Sequence, residues 1–542
     1  MMDTPLTLTH VLKRANFLFP KNEIVSRRPT GIFRYKYADF YKRTQKLAGV
    51  LNSLGVEKGD KVGTLAWNDH RHLEAYFAIP TMGAVLHTIN FRLSGEHLSY
   101  IINHAEDKVL LVDDTVLPIV EGIKDYLKTV KAYVIMTDKD ELPHTTLDPV
   151  YSYEELLAQD NGEFQFLEDI NENEPAGMCF TSATTGNPKG VVYTHRALFL
   201  HSMALGLADT LGLSEKDGIM PVVPMFHANA WGMPFAATMF GTRQILPGPI
   251  PTPADLLNLI TEEKITISAG VPTIWMGLLK ELDANGDNYD TSSMRTIICG
   301  GSAAPKSMIR TFEEKYNIPF LHAYGMTETT PLVFAATIKH NLRDLSFEEK
   351  LNYKAKQGIL VPGIEMKIIG KDGEVKPNGK EMGELLLRGP WIANEYYKDE
   401  RTQETFIDGW LHTGDVVTVD EEGYVQIVDR TKDLVKSGGE WISSVDLENA
   451  LMAHESVFEA SVIGVAHPKW QERPLGVVVL KDAYKDKVTT EELQEHLAMQ
   501  FPKWWIPDDI LFIDEIPKTG VGKFLKRGLR DKYQNYLLEK ED

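Results

Sequence analysis

Residues 179 to 195 read C-F-T-S-A-T-T-G-N-P-K-G-V-V-Y-T-H and concentrate the side chains best suited to handling an anion. Four hydroxyls (Thr181, Ser182, Thr184, Thr185) precede Gly186, Pro188, Lys189 and Gly190. Hydroxyls, backbone N–H groups of a glycine-rich turn and one ammonium can together face a phosphate chain, which makes this a phosphate-loop candidate. A polar surface turn has a similar composition. The run does not match G-x-x-x-x-G-K-[ST], and no other segment does, which argues against a nucleotide-hydrolysing motor or switch. A second candidate is Gly300-Gly301-Ser302-Ala303-Ala304-Pro305, which lacks the second glycine of G-x-S-x-G and so disfavours a serine hydrolase.

These segments need elements to hold them. Short β-branched or aliphatic runs at 109–112, 265–268 and 296–299 read as buried strands, alternating with longer helical patterns as in layered α/β proteins. The run at 296–299 leads directly into the Gly300 turn, and Pro305 suits the first position of a helix. Such strand-turn-helix junctions are common ligand sites in α/β folds. Charge is dense around Asp429-Arg430-Thr431-Lys432-Asp433. Beyond it come a helix signal at 443–453, strands near 460–465 and 475–480, and capping-box spacing between Thr489 and Glu492. Residues 524–538 read as one basic amphipathic helix. A division into 1–430 and 431–542 follows.

The chain has 542 residues, 43 % hydrophobic and 25 % charged, the mixture of an ordinary globular protein of more than one domain. Its formal charge of −20 opposes non-specific attraction to nucleic acid or anionic lipid, so a polyanionic ligand must meet local cations. Cys179 and Cys299 are the only cysteines, too few for a disulfide framework or a four-thiolate zinc site. No window has the length of a membrane span, and the first residues, with Asp3, lack a signal-peptide core. The expectation is a soluble, cytoplasmic protein.

The 179–195 segment resembles the adenylate-forming superfamily of acyl-CoA synthetases, luciferases and peptide-synthetase adenylation domains. Further matches stand in the family's order: Y-G-M-T-E-T at 324–329, W-L-H-T-G-D at 410–415, D-R-T-K-D at 429–433, K-S-G-G-E-W-I at 436–442 and P-K-T-G-V-G-K at 517–523. One departure is Ala183, where the family usually has glycine. The resemblance implies an α/β fold with a large, multi-subdomain N-terminal part and a smaller, mobile C-terminal α+β domain, hinged near 429–433. It also implies chemistry: a carboxylate attacks the α-phosphate of ATP, giving an acyl-adenylate and pyrophosphate, and the thiol of coenzyme A then displaces AMP.

By the same resemblance, Thr181 and Glu328 position a magnesium ion, while Ser182, Thr184, Thr185 and Lys189, with Gly186 in the same loop, hold the β- and γ-phosphates. Tyr324 stacks on adenine, Gly301 and Ala323 line that pocket, and Thr327 reaches the α-phosphate. Asp415 accepts from the ribose hydroxyls and Arg430 gives a second ribose or phosphate contact. Lys432 marks the point about which the small domain rotates. Lys523 is the principal adenylation residue, its ammonium reaching both the carboxylate and the α-phosphate. Lys436 and the backbone from Gly438 to Trp441 face the site during thioester formation instead. A homodimer is also implied.

Residues 224–241, P-M-F-H-A-N-A-W-G-M-P-F-A-A-T-M-F-G, then line the acyl pocket, with His227, Ala228 and Trp231 against the substrate. No Asp or Glu lies between Gly218 and Thr242, so an amino-acid substrate with its ammonium is disfavoured. Trp231, Met225, Met233 and Phe235 suit a hydrocarbon chain, and the resemblance is to bacterial medium- and long-chain fatty acyl-CoA synthetases. Two alternatives stay open: a ligase for a short thioether or aryl acid, and a non-catalytic adenylate or acyl-CoA binding protein, which Ala183 motivates.

Overall fold

The computed structural model describes residues 1–181, 186–431, 433–437, 440–485, 487–518 and 524–541, the side chains of Glu440, Trp441 and Glu541 excepted. Two large sheets dominate the first 360 residues. One runs, in spatial order, Val150–Ser152, Ala132–Met136, Asp107–Asp113, Lys61–Leu65, Val85–Thr88, Pro175–Phe180 and Gly190–Thr194, parallel except for its last pair. The other has nine strands, and its centre is the parallel set Arg243–Leu246, Gly218–Pro221, Ile267–Gly270, Thr296–Cys299 and Phe320–Gly325. Helices cover these strands, so Thr-Ile-Ile-Cys at 296–299 is buried on both faces and reads as an unbroken apolar run rather than an alternation.

The parallel sheets also fix where ligands can bind. Crossover helices occupy the faces, which leaves the crevice beyond the carboxyl ends of the strands. Thr181, Val223, Val271, Gly300 and Met326 each follow a different strand at that edge, and all five line one cavity.

A third sheet, built on Glu365–Gly370, Gly383–Arg388, Trp410–Val419 and Val425–Arg430, carries the ribose-site candidates. A fourth, built on Val435–Ser437, Glu440–Ile442, Val457–His467, Gln471–Leu480 and Asp509–Phe512, has its own core around Val462, Val478, Leu447 and Leu493. The sheet change falls between 430 and 435, at the charged segment where the sequence suggests a boundary.

The strand expected at 265–268 lies at Ile267–Gly270, and three further local expectations differ from the structure. Pro305 is the N-cap of Lys306–Arg310, with ψ at 139°, so it precedes the helix instead of opening it. Thr489 caps Thr490–Ala498 by accepting from the Glu492 N–H, but the Glu492 carboxylate lies 3.6 Å from His454 Nε2. The terminal helix is two helices, Lys526–Tyr533 and Tyr536–Glu541, because the chain turns so that the Gln534 carbonyl accepts from Ala466 N–H. No helix among the described residues is long and apolar enough to cross a membrane.

Candidate active site

One cavity of about 820 Å³ gathers residues from segments spread between Thr181 and Arg530. Its neck at the phosphate loop is a hairpin. Phe180 pairs with Gly190, the Thr181 N–H donates to the Lys189 carbonyl at 2.9 Å, and the Lys189 N–H donates to Thr181 Oγ1 at 3.1 Å. Antiparallel pairing thus brings the first and last candidate residues of the loop side by side although eight positions separate them. Ser182, Ala183, Thr184 and Thr185 lie outside the described residues. Gly186 is described, with φ at +69°, but does not line the cavity.

Next to the neck, Glu328 sits on the buried turn Thr327–Thr329. Its Oε1 accepts from the Tyr396 hydroxyl at 2.7 Å, and that hydroxyl accepts from Lys189 Nζ, also at 2.7 Å. The turn is held from several sides. The Tyr193 hydroxyl donates to the Thr327 carbonyl, Ala393 N–H donates to the Glu328 carbonyl, and the Thr330 hydroxyl donates to the Trp391 carbonyl. Gly325, the last residue of the preceding strand, leaves no room for a side chain, because a Cβ there would lie 1.9 Å from the Pro331 carbonyl oxygen.

On the opposite wall, Asp415 and Arg430 face each other across two antiparallel strands. The Asp415 carboxylate is almost wholly buried, accepts from the Tyr324 hydroxyl at 2.5 Å and lies 3.3 Å from Arg430 Nε. Burial and the Asp415 charge push the Tyr324 phenol well above its usual range, so it remains a donor, and Asp415 raises the Arg430 guanidinium. Gly301, Ala323 and Thr327 line the same space.

The acyl-side candidates lie at the other end. Ala228, Asn229, Ala230 and Trp231 all have positive φ, between 43° and 58°, making a left-handed turn closed by Gly232. L-residues enter this region at a cost of roughly 1–2 kcal/mol each, so contacts must hold them there. Asn229 Oδ1 lies 3.4 Å from both Cys179 Sγ and Thr88 Oγ1, which ties the turn to two strands of the first sheet. The turn aims the Trp231 ring at Gly300, where a Cβ would stand 3.2 Å from it and 2.9 Å from the Ala323 carbonyl oxygen. His227, Ala228 and Trp231 line the cavity, joined by Leu205, Val223, Met233 and Met276. Between positions 205 and 233, no Asp, Glu, Lys or Arg is among the described lining residues.

Residues 431–542 close the cavity. Phe524, Leu525, Lys526, Arg527 and Arg530 line it, as do Glu448 and Asp433. Lys526 Nζ pairs with Glu448 at 2.8 Å and donates to Ser444 Oγ, which donates to Asp429 Oδ2, both at 2.5 Å. Lys523 and Lys432 lie outside the described residues, and of Trp441 only the backbone is described, paired with Lys436. Lys436 is exposed on Val435–Ser437 and does not line the cavity in this arrangement.

Sequence reasoning missed Tyr396, Arg401 and the Lys526 cluster. Arg401 donates to the Asn187 carbonyl, and Tyr397 N–H donates to the Gly190 carbonyl, so residues 391–401 brace both the loop and the Glu328 turn.

Comparison with known proteins agrees with this arrangement. The family model described as AMP-binding enzyme matches residues 14–397, and the AMP-binding enzyme C-terminal domain matches 446–523. A long-chain-fatty-acid–CoA ligase of Thermus thermophilus is 50 % identical over 99 % of this chain and 97 % of its own length. A medium-chain-fatty-acid–CoA ligase of Ectopseudomonas oleovorans is 42 % identical over 99 % of this chain and 98 % of its own. A 3-methylmercaptopropionyl-CoA ligase of Ruegeria lacuscaerulensis is 43 % identical over 99 % of both. Among solved structures, an anthranilate CoA ligase with bound anthranoyl-AMP superposes with a TM-score of 0.86 over 99 % of each chain at 24 % identity, a likeness of fold. The Bacillus subtilis o-succinylbenzoate CoA synthetase with its acyl-adenylate intermediate gives 0.79 over 98 % of this chain and 99 % of its own at 26 % identity. With both domain models matched in order and relatives aligned from end to end, the chain belongs to the adenylate-forming, AMP-binding enzyme family.

Proposed function

We propose that the protein is a fatty acid–CoA ligase. It activates a medium- or long-chain fatty acid with ATP to an acyl-adenylate, releasing pyrophosphate, and passes the acyl group to coenzyme A, releasing AMP. One observation carries the reading: a single cavity joins the Tyr324–Asp415–Arg430 wall and the phosphate-loop neck to an uncharged, left-handed turn ending in Trp231. The named activities of the full-length relatives support it.

Each side chain then has a part. Asp415, beside Arg430, accepts from the ribose hydroxyls, while Tyr324 offers its face to adenine. Thr327, on the turn before Glu328, reaches the α-phosphate. Lys189 and the hydroxyls of Ser182, Thr184 and Thr185 hold the β- and γ-phosphates. In a chain of net charge −20, these local cations oppose the repulsion between the incoming carboxylate and the nucleotide. The acyl tail lies along the Val223, Trp231 and Met276 wall, where each methylene adds about 0.8 kcal/mol of burial.

Magnesium fits the donors present. No cluster of three or more His, Cys, Asp or Glu side chains able to hold a metal ion occurs among the described residues, whereas Glu328 and Thr181 offer two oxygens at the cavity. That suits an ion that takes few protein ligands and completes its shell with water and substrate phosphate. Thr181 and Glu328 would hold it, and its charge would neutralise phosphate oxygens.

The proposal includes domains of 1–430 and 431–542 rotating about 429–433. That motion would bring Lys523 to the carboxylate in the first step, and Lys436 with the 438–441 backbone to the site in the second. A cytosolic homodimer completes it. Two buried, unpaired thiols are consistent with a reducing compartment, and the dimer rests on resemblance and is read by light scattering.

The test is a panel of acids from four to eighteen carbons, with a methylthio-substituted short acid included, scored by AMP release that depends on coenzyme A. A maximum among the longer acids is expected. A maximum at the thioether acid, as the Ruegeria relative's name suggests, would replace the fatty substrate while leaving the ligase chemistry.

A further inference from the structure

Tyr396 stands where no motif pointed, in A-N-E-Y-Y-K-D, yet it is the junction of the phosphate end of the cavity. It is 3 % exposed. Its N–H donates to Thr402 Oγ1 at 3.0 Å, and its ring meets Phe406 edge-on with centroids 5.2 Å apart. Lys189 Nζ lies 4.0 Å from the ring centroid and 2.7 Å from the hydroxyl oxygen. Glu328 Oε1 lies 2.7 Å from the same oxygen.

A phenol has one hydrogen, and an ammonium accepts none, so the direction of the chain is fixed. Lys189 donates to Tyr396, and Tyr396 donates to Glu328. A neutral hydroxyl placed between an ammonium and a carboxylate lets each be oriented without the two collapsing into a direct ion pair. Each retains charge to direct at a third group. The hydroxyl also meets only one of the two Glu328 oxygens.

We propose that Tyr396 is the positioning residue that sets Glu328 for a magnesium ion and Lys189 for the nucleotide's terminal phosphates. The proposal rests on the ligase reading above. It acts through these two side chains and touches neither reacting atom.

Tyr396→Phe keeps the ring, its packing and the cation–π contact, and removes only the hydroxyl. In acid-dependent ATP–pyrophosphate exchange, the half-saturating magnesium concentration is expected to rise about tenfold, as for loss of an outer partner of a metal ligand, with KM for the acid unchanged. On a Glu328→Gln background the same substitution should add less than twofold, because its route is already removed. A second arm leaves the packing intact. With 3-fluorotyrosine installed at 396, the ¹⁹F resonance should shift on adding magnesium and ATP together, and should shift less in Glu328→Gln, where only the Lys189 contact remains. An unaltered magnesium dependence in folded Tyr396→Phe, or a resonance indifferent to magnesium and ATP, would overturn the proposal and leave Tyr396 as packing. If no acid supports exchange in the unaltered protein, the ligase reading is what fails, since the fluorine signal still reports the nucleotide and the ion.

Discussion

At the residue scale, the site depends on which oxygen accepts from which donor. Asp415 has two partners already, Tyr324 and Arg430, and its burial makes each count. Asp415→Asn removes the charge that Arg430 faces and offers a weaker acceptor to a ribose. Bonds to charged groups are worth about 1.5–3 kcal/mol, so AMP affinity measured by calorimetry should fall at least tenfold, with the melting temperature changing far less. Asp415, Arg430, Glu328 and Lys189 were legible in the sequence because each sits in a run of distinctive residues. Tyr396 was not, because a tyrosine beside another tyrosine in a charged loop announces nothing until Glu328 and Lys189, 68 and 207 positions away, are seen on its hydroxyl.

At the scale of elements, strands were easier to read than turns. The 296–299 run is a strand with the limits expected of it, since burial on both faces writes itself as continuous apolar sequence. The left-handed turn at 228–231 could not be foreseen, because Ala, Asn, Ala and Trp do not call for positive φ and the side-chain contacts that tie it down come from distant Thr88 and Cys179. That turn meets Gly300 closely, so Gly300→Ala must move the Trp231 ring or the Ala323 backbone. The acid panel should respond with a change of several-fold in the preference between short and long chains. Nearby, His201 on His195–Leu205 accepts from the Leu332 N–H at 3.2 Å and must be neutral to do so. Burial lowers its pKa to about 3. The unfolded chain takes up a proton below about 6.5 while the native state does not, so this stabilisation is complete above that value and is lost as pH falls toward 3. Denaturant unfolding between pH 6.5 and 4 should therefore show stability falling with acid, and His201→Gln should reduce the slope by about one proton.

At the scale of the whole molecule, the two parts meet where a buried carboxylate of the first, Asp429, accepts from Ser444 of the second, which in turn accepts from Lys526. Asp429 belongs to the third sheet, Ser444 and Glu448 to the helix Ser444–Ala453, and Lys526 to the next-to-last helix. They form one buried chain of hydrogen bonds beside the proposed hinge. Charge density at 429–433 hinted at a boundary, but the partners were unreadable because Lys526 looks like one more cation on a basic helix. The two-step scheme predicts separable defects. Lys523→Ala should abolish acid-dependent pyrophosphate exchange and leave thioester formation from supplied acyl-AMP within a few-fold, and Lys436→Ala should do the reverse. Equal loss of both steps in each variant would remove the division of labour. Finally, both cysteines border the cavity in sequence, Cys179 two residues before Thr181 and Cys299 just before Gly300, and both are buried. Burial raises both thiols, Cys179 to about 11, so neither ionises at neutral pH. A mixed anhydride waiting for its acceptor therefore meets no sulfur nucleophile belonging to the protein, and the scaffold is spared acylating itself.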